Sequence, residues 1–522
     1  MIDALLVGAE ELENLGTRYL AAALRQAGYT AELAAFSTAD EMEEVVAQAE
    51  TLQPRVVGLS IIFQYRAPEF LALAAELRRV LPECHITVGG HFATFTAAEL
   101  LRDAPALDTV VRGEGEYTLL ELVDKLDRRE AWDTILGLSF RRDGRVVENP
   151  ARPLTTDLDT LPVAARDTAP QQYLGIGLAP IVGSRGCYRD CAFCSIRAFY
   201  GSSKGRLQRF RSVPNLMDEM ETLYHNEVRF FIFNDDEWFP PGPSRFRRLD
   251  EMEREMQRRN LDAIMSIKCR ADDVDEALFN RLRDIGVVRS YVGIESGSDH
   301  SLQTMNKKTT VAQNRKALDV LHKIGMLADF GLIFFDPDST IADVQANLAF
   351  FHEMAGAGEA PLSFGRMEVY AGTPILKRLL AEGRLTGNYM AWNYTIAEPR
   401  VELLFRMMVA AMRNRNFANS GMGKQASIAY YELTMYEYRL GARAHRALRD
   451  QLQSFVARLN NHSLSILEEM LAFTLQENIY DANRVNDQVS RWATAINRYD
   501  LQARQELDAW RMQMEQDTLV QA

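Results

Sequence analysis

Short apolar runs alternate with amphipathic stretches along the first 128 residues. The runs ALLVG (4–8), VVGLS (56–60), HITVGG (85–90) and DTVVRG (108–113) have the length and β-branched content of buried strands, and several end in glycine. Between them, residues 16–27 and 67–81 place apolar side chains three and four apart, the spacing of one helix face. This alternation predicts a parallel, doubly wound sheet whose ligands bind beyond the carboxyl ends of its strands.

The texture changes at residues 129–178. Asp143-Gly144 between two extended runs predicts a hairpin, and DLDTLPVAARDTAP has the composition of an irregular linker. A second series then covers 179–390. Its predicted strands are PIVGS (180–184), VRFFIFN (228–234), DAIMSIKC (262–269), RSYVGIE (289–295), DFGLIFF (329–335) and SFGRMEV (363–369). A helix opens at Ser212-Val213-Pro214, with a capping serine and an early proline. Six β/α units predict a partial barrel with its site at the strand C-termini. Residues 391–522 lose the alternation. Val485, Val489, Trp492, Ile496, Tyr499 and Ala503 form a helical stripe, and long helices are expected over 425–459 and 483–515. Such a helical C-terminal domain fits either a cap on the barrel mouth or a subunit contact. The expected fold class is therefore α/β: a Rossmann-like domain (1–128), a linker, a partial (β/α)6 barrel (179–390) and C-terminal helices.

Composition narrows the function classes. The 522 residues are 47% hydrophobic and 25% charged, an ordinary globular balance, and no apolar run is long enough to span a membrane. The start, MIDALLVGAEELEN, has no basic leader, so a cytoplasmic protein is expected. A net charge of −13 argues against a nucleic-acid partner bound by phosphate neutralisation. Five cysteines cannot be a disulfide framework and fit a reducing compartment.

Three of those cysteines carry the chemistry. Cys187, Cys191 and Cys194 form a C-x3-C-x2-C array directly after a predicted strand. Three thiolates on one loop can hold three irons of a 4Fe–4S cluster and leave the fourth iron open. An open iron can chelate the amino and carboxylate groups of S-adenosylmethionine and pass an electron into its sulfonium. The competing reading of the same thiols is a zinc site, but no histidine follows at finger-like spacing.

The array, with Phe193 before its last cysteine, resembles the radical S-adenosylmethionine superfamily. RFRS (209–212), NDDEWF (234–239), GIESGSDHSLQTMNKKTT (293–310) and VYAGTPI (369–375) are similar to landmarks of one large branch. That branch carries an N-terminal cobalamin-binding-type domain, to which VGGHFAT (88–94) and VRGEGE (111–116) are similar. The resemblance covers about residues 1–390.

It implies that Cys187, Cys191 and Cys194 ligate the cluster and that the backbone at Phe193 faces adenine. Asp235, Asp236 and Glu237 would meet the amino group of S-adenosylmethionine, Arg270 its carboxylate, and Glu295 and Ser296 its ribose or methionine part. Ser60, Gly89 and Gly90 would accept the cobalamin nucleotide tail, with His91 and Gly113 beside it. The loop 8–16 has no histidine, so cobalamin would be held without a histidine on cobalt. One departure is the run 334–340, FFDPDST, where relatives read G-L-P-G-E-T; it holds no glycine for the backbone contact to adenosine that the resemblance implies there.

Cys84 and Cys269 are too few for a second cluster and are expected to pack as small apolar residues. The aromatic residues of 430–438 read as core, and Arg245, Arg247 and Arg248 as a solvated helix face. The resemblance implies a methyltransferase acting on unactivated carbon or on phosphorus of a small molecule or peptide, served by an external flavodoxin- or ferredoxin-like electron donor. Radical cyclisation, rearrangement or another group transfer is the alternative, and a non-catalytic cobalamin-binding regulator a distant third.

Overall fold

A computed structural model describes residues 2–10, 12–441, 446–476 and 481–521. The first sheet has seven strands: β1 (Ala4–Gly8), β2 (Ala31–Ala35), β3 (Val56–Ser60), β4 (His85–Gly89), β5 (Thr109–Val111), β6 (Leu138–Arg142) and β7 (Arg145–Glu148). Its order is β2-β1-β3-β4-β5-β6-β7, with the first five strands parallel. The order reverses between β1 and β3, which opens a crevice at their carboxyl ends. The alanine-rich β2 carries no strong apolar run, and sequence patterning missed it.

The hairpin expected in the connector is β6–β7, and it extends this sheet antiparallel to β5. Its turn residues Asp143 and Gly144 both have positive φ (52° and 74°), as a tight two-residue turn requires.

The second sheet contains β8 (Gln171–Tyr173) and β9 (Ile176–Ile181). A short ladder, β10 (Ser184–Arg185) with β11 (Arg209–Phe210), follows outside it. The sheet continues with β12 (Val228–Phe233), β13 (Ile264–Arg270), β14 (Val287–Glu295) and β15 (Leu327–Leu332). From β9 onward these five strands are parallel and in sequence order. The sixth expected strand forms only a bridge between Phe335 and Arg366. Residues 363–369 still follow the chain beyond β15, since Phe334 donates to the Gly365 carbonyl (3.1 Å) and Met367 to that of Phe335 (2.7 Å). Ser212 caps the helix Val213–His225 as expected, its hydroxyl accepting from Asn215.

Four long helices complete the chain: Pro399–Phe417, Met422–Leu440, Arg446–Thr474 and Ala482–Gln521. The single helix expected over 425–459 is thus two. The first stops at Gly441 (φ +86°), and residues 442–445 lie outside the described residues. Its Tyr431, Met435 and Tyr438 pack on Ile176, Phe230 and Ile264 at the amino ends of the barrel strands. This helix therefore closes the end of the barrel opposite the cysteine loop instead of capping its mouth.

Candidate active site

The cysteine loop leaves the first barrel strand through β10. Gly186 (φ +86°) must be glycine, because a Cβ there would lie 1.8 Å from the Leu207 carbonyl oxygen. Its N–H donates to Asp236 Oδ2 (2.8 Å), tying the loop to the end of β12. Further along, the Ala192 N–H donates to the Met305 carbonyl (2.7 Å), and the Ile375 N–H donates to that of Ala192 (2.9 Å). Cys187, Cys191 and Cys194 are half-buried. Burial pushes the Cys187 thiol up to about 12 and Cys194 to about 11.

Around this loop the sequence-derived residues separate into two groups. Arg270 reaches it: Nη1 donates to Cys191 Sγ (3.6 Å), Nη2 to the Lys307 carbonyl (2.5 Å), and Nε to Asp272 (2.8 Å). Glu295 (φ +62°) accepts from Lys307 Nζ at 2.7 Å, and that ammonium lies 5.8 Å from the Phe193 ring centre. Glu237 is buried, and its carboxyl is raised to about 8 by burial and then by Asp273. Asp235 and Ser296 instead brace the scaffold. Asp235 accepts from the Gly183 N–H (3.1 Å) and the Ser184 hydroxyl (2.5 Å), and burial raises it to about 6. The fully buried Ser296 hydroxyl donates to Asn347 Oδ1 (2.8 Å).

The departure after β15 folds on itself: Asp336 Oδ1 accepts from the Asp338 N–H and Oδ2 from the Ser339 hydroxyl. Two arginines expected in solvent do structural duty. Arg245 pairs with Asp273 (2.8 Å), and Arg248 donates to the Arg211 carbonyl (2.8 Å). Cys84 and Cys269 are buried, as their packing role required.

The crevice of the first sheet opens into a cavity of about 310 Å³. Ser60, Gly89, Gly90, His91 and Gly113 line it from one side, and Arg185, Tyr200 and Asp236 from the barrel side. Gly90 (φ +101°) sits so close to Ile61 that a Cβ would meet its carbonyl oxygen at 2.6 Å. The His91 ring stacks on Phe199 (4.0 Å between centroids), and its buried Nε2 has no hydrogen-bond partner. No histidine stands among the described residues of the 8–16 loop; Glu11 lies outside them.

Two sequence landmarks meet across the domains. Glu114 accepts from Arg209 (2.8 and 3.0 Å) and from Arg185 (3.1 Å), and Glu116 accepts from Arg185 (2.6 Å). The arginines hold the Glu114 carboxyl below its ordinary range despite burial. VRGEGE and RFRS thus fix the crevice against the cysteine loop.

Comparison with known proteins matches residues 3–123 to the B12 binding domain and residues 181–350 to the Radical SAM superfamily. The chain belongs to the cobalamin-dependent radical S-adenosylmethionine enzymes. The cofactors of this family are a 4Fe–4S cluster, S-adenosylmethionine and cobalamin. The chain is 26% identical over 397 residues to an uncharacterized methyltransferase of Pyrococcus horikoshii, covering 74% of this chain and 83% of that protein. It is 31% identical to the anaerobic magnesium-protoporphyrin IX monomethyl ester cyclase of Rubrivivax gelatinosus, over 60% of this chain and 57% of the cyclase. A hopanoid C-3 methylase of Methylococcus capsulatus is also 31% identical, over 63% of this chain and 62% of the methylase. The chain therefore spans less than two thirds of those last two relatives. Among solved structures, the cobalamin-dependent radical enzyme OxsB with aqua-cobalamin and S-adenosylmethionine shares its fold. That similarity has a TM-score of 0.71 at 19% identity, over 98% of this chain and 84% of that one.

The residues present fit these cofactors. Three half-buried thiols share one pinned loop, and a glycine-lined crevice faces it across a buried arginine–glutamate brace. Lys307 is the site residue that sequence reasoning missed. It stands within the quoted MNKKTT run, but nothing local distinguishes it from the neighbouring exposed Lys308. Among the described residues, no helix is long and apolar enough to cross a membrane.

Proposed function

We propose that this enzyme transfers a methyl group to an unactivated carbon, or to phosphorus, of a small molecule or peptide. One observation carries the reading. The crevice cavity and a second cavity of about 330 Å³ share Ile62 and His91, and the second is lined by Phe193 and Cys194. A substrate lying there would be within reach of both cofactor sites. When bound, the cluster supplies an electron to the sulfonium of S-adenosylmethionine, and cobalamin carries a methyl group.

The protein's part is to hold and to exclude. In this reading Cys187, Cys191 and Cys194 bind iron, and Arg270 presents a planar fork suited to a carboxylate beside Cys191. Asp236, exposed in the first cavity, can accept from an amino group while its other oxygen holds the Gly186 N–H. Ser60, Gly89, Gly90 and Gly113 allow close backbone approach of the nucleotide tail. The aromatic walls keep water from the reacting centre.

Two relatives at 31% identity are a methylase and a cyclase, so cyclisation is the second reading. Product analysis separates the two. Anaerobic enzyme, loaded with cluster and cobalamin, is incubated with S-adenosylmethionine, reductant and candidate substrates. Methyl transfer yields S-adenosylhomocysteine together with 5′-deoxyadenosine; 5′-deoxyadenosine alone would favour the cyclase reading.

A further inference from the structure

The inward faces of the barrel strands carry a polar layer. Along β14, Val292 and Ile294 join the core outside the barrel, so Arg289, Tyr291 and Glu295 face its interior. Parallel pairing sets Lys268 of β13 directly beside Tyr291, and Tyr291 beside Asp329 of β15. Tyr291 has a strand on each side, yet it is 44% exposed, so the interior is open to solvent at this level. Deeper in the barrel, Phe230, Ile232 and Ile264 pack with Tyr431 and Met435 as an apolar floor.

The groups facing this space are donors. Lys268 Nζ donates to Asn234 Oδ1 at 3.3 Å and meets no carboxylate within ion-pair distance among the described residues. An ammonium only donates, so it turns the Asn234 carbonyl oxygen toward itself and leaves the amide Nδ2 as a donor. Asn234 is exposed and lines the first cavity. The Tyr291 hydroxyl stands against Gly331, where a Cβ would lie 2.6 Å from it, and makes no hydrogen bond among the described residues.

The neighbouring cations are all matched. Arg289 pairs with Asp329, Arg270 with Asp272 (2.8 Å) and Lys307 with Glu295 (2.7 Å). Lys268 is left with a charge to match. Burial lowers its pKa against the opposing pull of Asp236 and Asp235. An ammonium partly out of water is unfavourable unless paired, and an anionic ligand recovers the loss.

We infer that the barrel interior seats an anionic oxygen group of the substrate, a carboxylate or a phosphate, on Lys268 Nζ, with Asn234 Nδ2 and the Tyr291 hydroxyl beside it. The rest of that molecule extends past Asn234 into the space between crevice and cysteine loop. The inference rests on the methyl-transfer reading only in taking that space as the place of reaction. Arg270, which that reading gives to the S-adenosylmethionine carboxylate, is the next inward position of β13, about 7 Å nearer the cysteine loop. An amine or a neutral hydrocarbon would leave the donors of this layer unmatched.

The test uses anaerobically reconstituted holoenzyme with S-adenosylmethionine bound and four probes of similar shape: benzoate, phenyl phosphate, benzamide and benzylamine. Each is titrated calorimetrically, with cluster and cobalamin contents measured on the same samples. The expected result is that one of the two anions binds about tenfold or more tightly than benzamide, with benzylamine weakest. The tighter anion names the head group. Lys268→Gln should abolish that preference while cluster content and S-adenosylmethionine affinity stay at wild-type values, and Tyr291→Phe should weaken the anion several-fold. Binding of both anions no tighter than benzamide, or a preference that survives Lys268→Gln, overturns the inference. A Lys268→Gln variant that loses S-adenosylmethionine affinity in step with the anion also overturns it, since Lys268 would then serve the cosubstrate. Those outcomes leave methyl transfer standing. Protein that takes up cluster but no cobalamin would instead remove the methyl-transfer reading, and the same titration would still decide anion binding at Lys268.

Discussion

At the scale of single residues, sequence motif and position in space agree best where covalent chemistry sets the spacing. The three cysteines were legible because three thiols on one loop have few other uses in a cysteine-poor chain. Replacing Cys191 by Ala is expected to lower iron content after anaerobic reconstitution to a small fraction of the wild-type value; unchanged iron would remove Cys191 from the ligand set. The acids at the end of β12 show the limit of such reading. NDDEWF places three carboxylates side by side, yet only Asp236 faces the first cavity, while Asp235 is turned inward to Ser184 and Gly183. Sequence gives their order along a chain leaving a strand, and the alternation of side-chain direction does the sorting. Asp235 also makes a pH prediction. Its folded pKa of about 6 lies above the ordinary aspartate value, so between the two the folded state holds a proton that the unfolded state has released. Asp235 should therefore contribute a fall in stability of order 3 kcal/mol as pH rises from about 4 to about 6. Melting temperatures measured across that window should show a smaller slope in Asp235→Asn than in wild type; equal slopes would contradict the assignment.

At the scale of elements, the strands buried on both faces were legible because their apolar runs are continuous. The weaker elements were not. The strand β2 is written in alanine and glutamate, and the sixth barrel segment pairs through irregular carbonyls around Gly365. The break at Gly441 was hidden because helical periodicity continues on both sides of it. The turn after β4 is the element on which the crevice depends. Gly90 combines a left-handed φ with a 2.6 Å approach to Ile61, so Gly90→Ala should distort the crevice while leaving the cysteine loop intact. The expected outcome is a loss of at least tenfold in cobalamin affinity with unchanged iron content. Wild-type cobalamin retention in this variant would show that the turn does not shape the seat.

At the scale of the whole molecule, the account depends on the loops at the carboxyl ends of the two sheets being held together. Sequence could name the landmarks VRGEGE and RFRS but not that they pair, since 95 residues separate Glu114 from Arg209. Both partners are nearly buried, so removing the Glu114 charge leaves Arg209 uncompensated and Arg185 paired with Glu116 alone. Glu114→Gln is expected to destabilise the junction by roughly 3 kcal/mol, read as a lower melting temperature and faster limited proteolysis. An unchanged melting temperature and digestion pattern would mean the brace is dispensable. The helix Met422–Leu440, at the far end of the barrel, leaves the space between crevice and cysteine loop free for the chemistry.

That shared space is the central claim, and spectroscopy of the loaded protein addresses it most directly. The cluster is reconstituted anaerobically, hydroxocobalamin is added, and the ultraviolet–visible spectrum is recorded after desalting. The account predicts stoichiometric cobalamin retained beside the iron–sulfur absorbance, with cobalamin lost in Gly90→Ala and the cluster lost in Cys191→Ala. A protein that keeps its cluster but releases all cobalamin would contradict it.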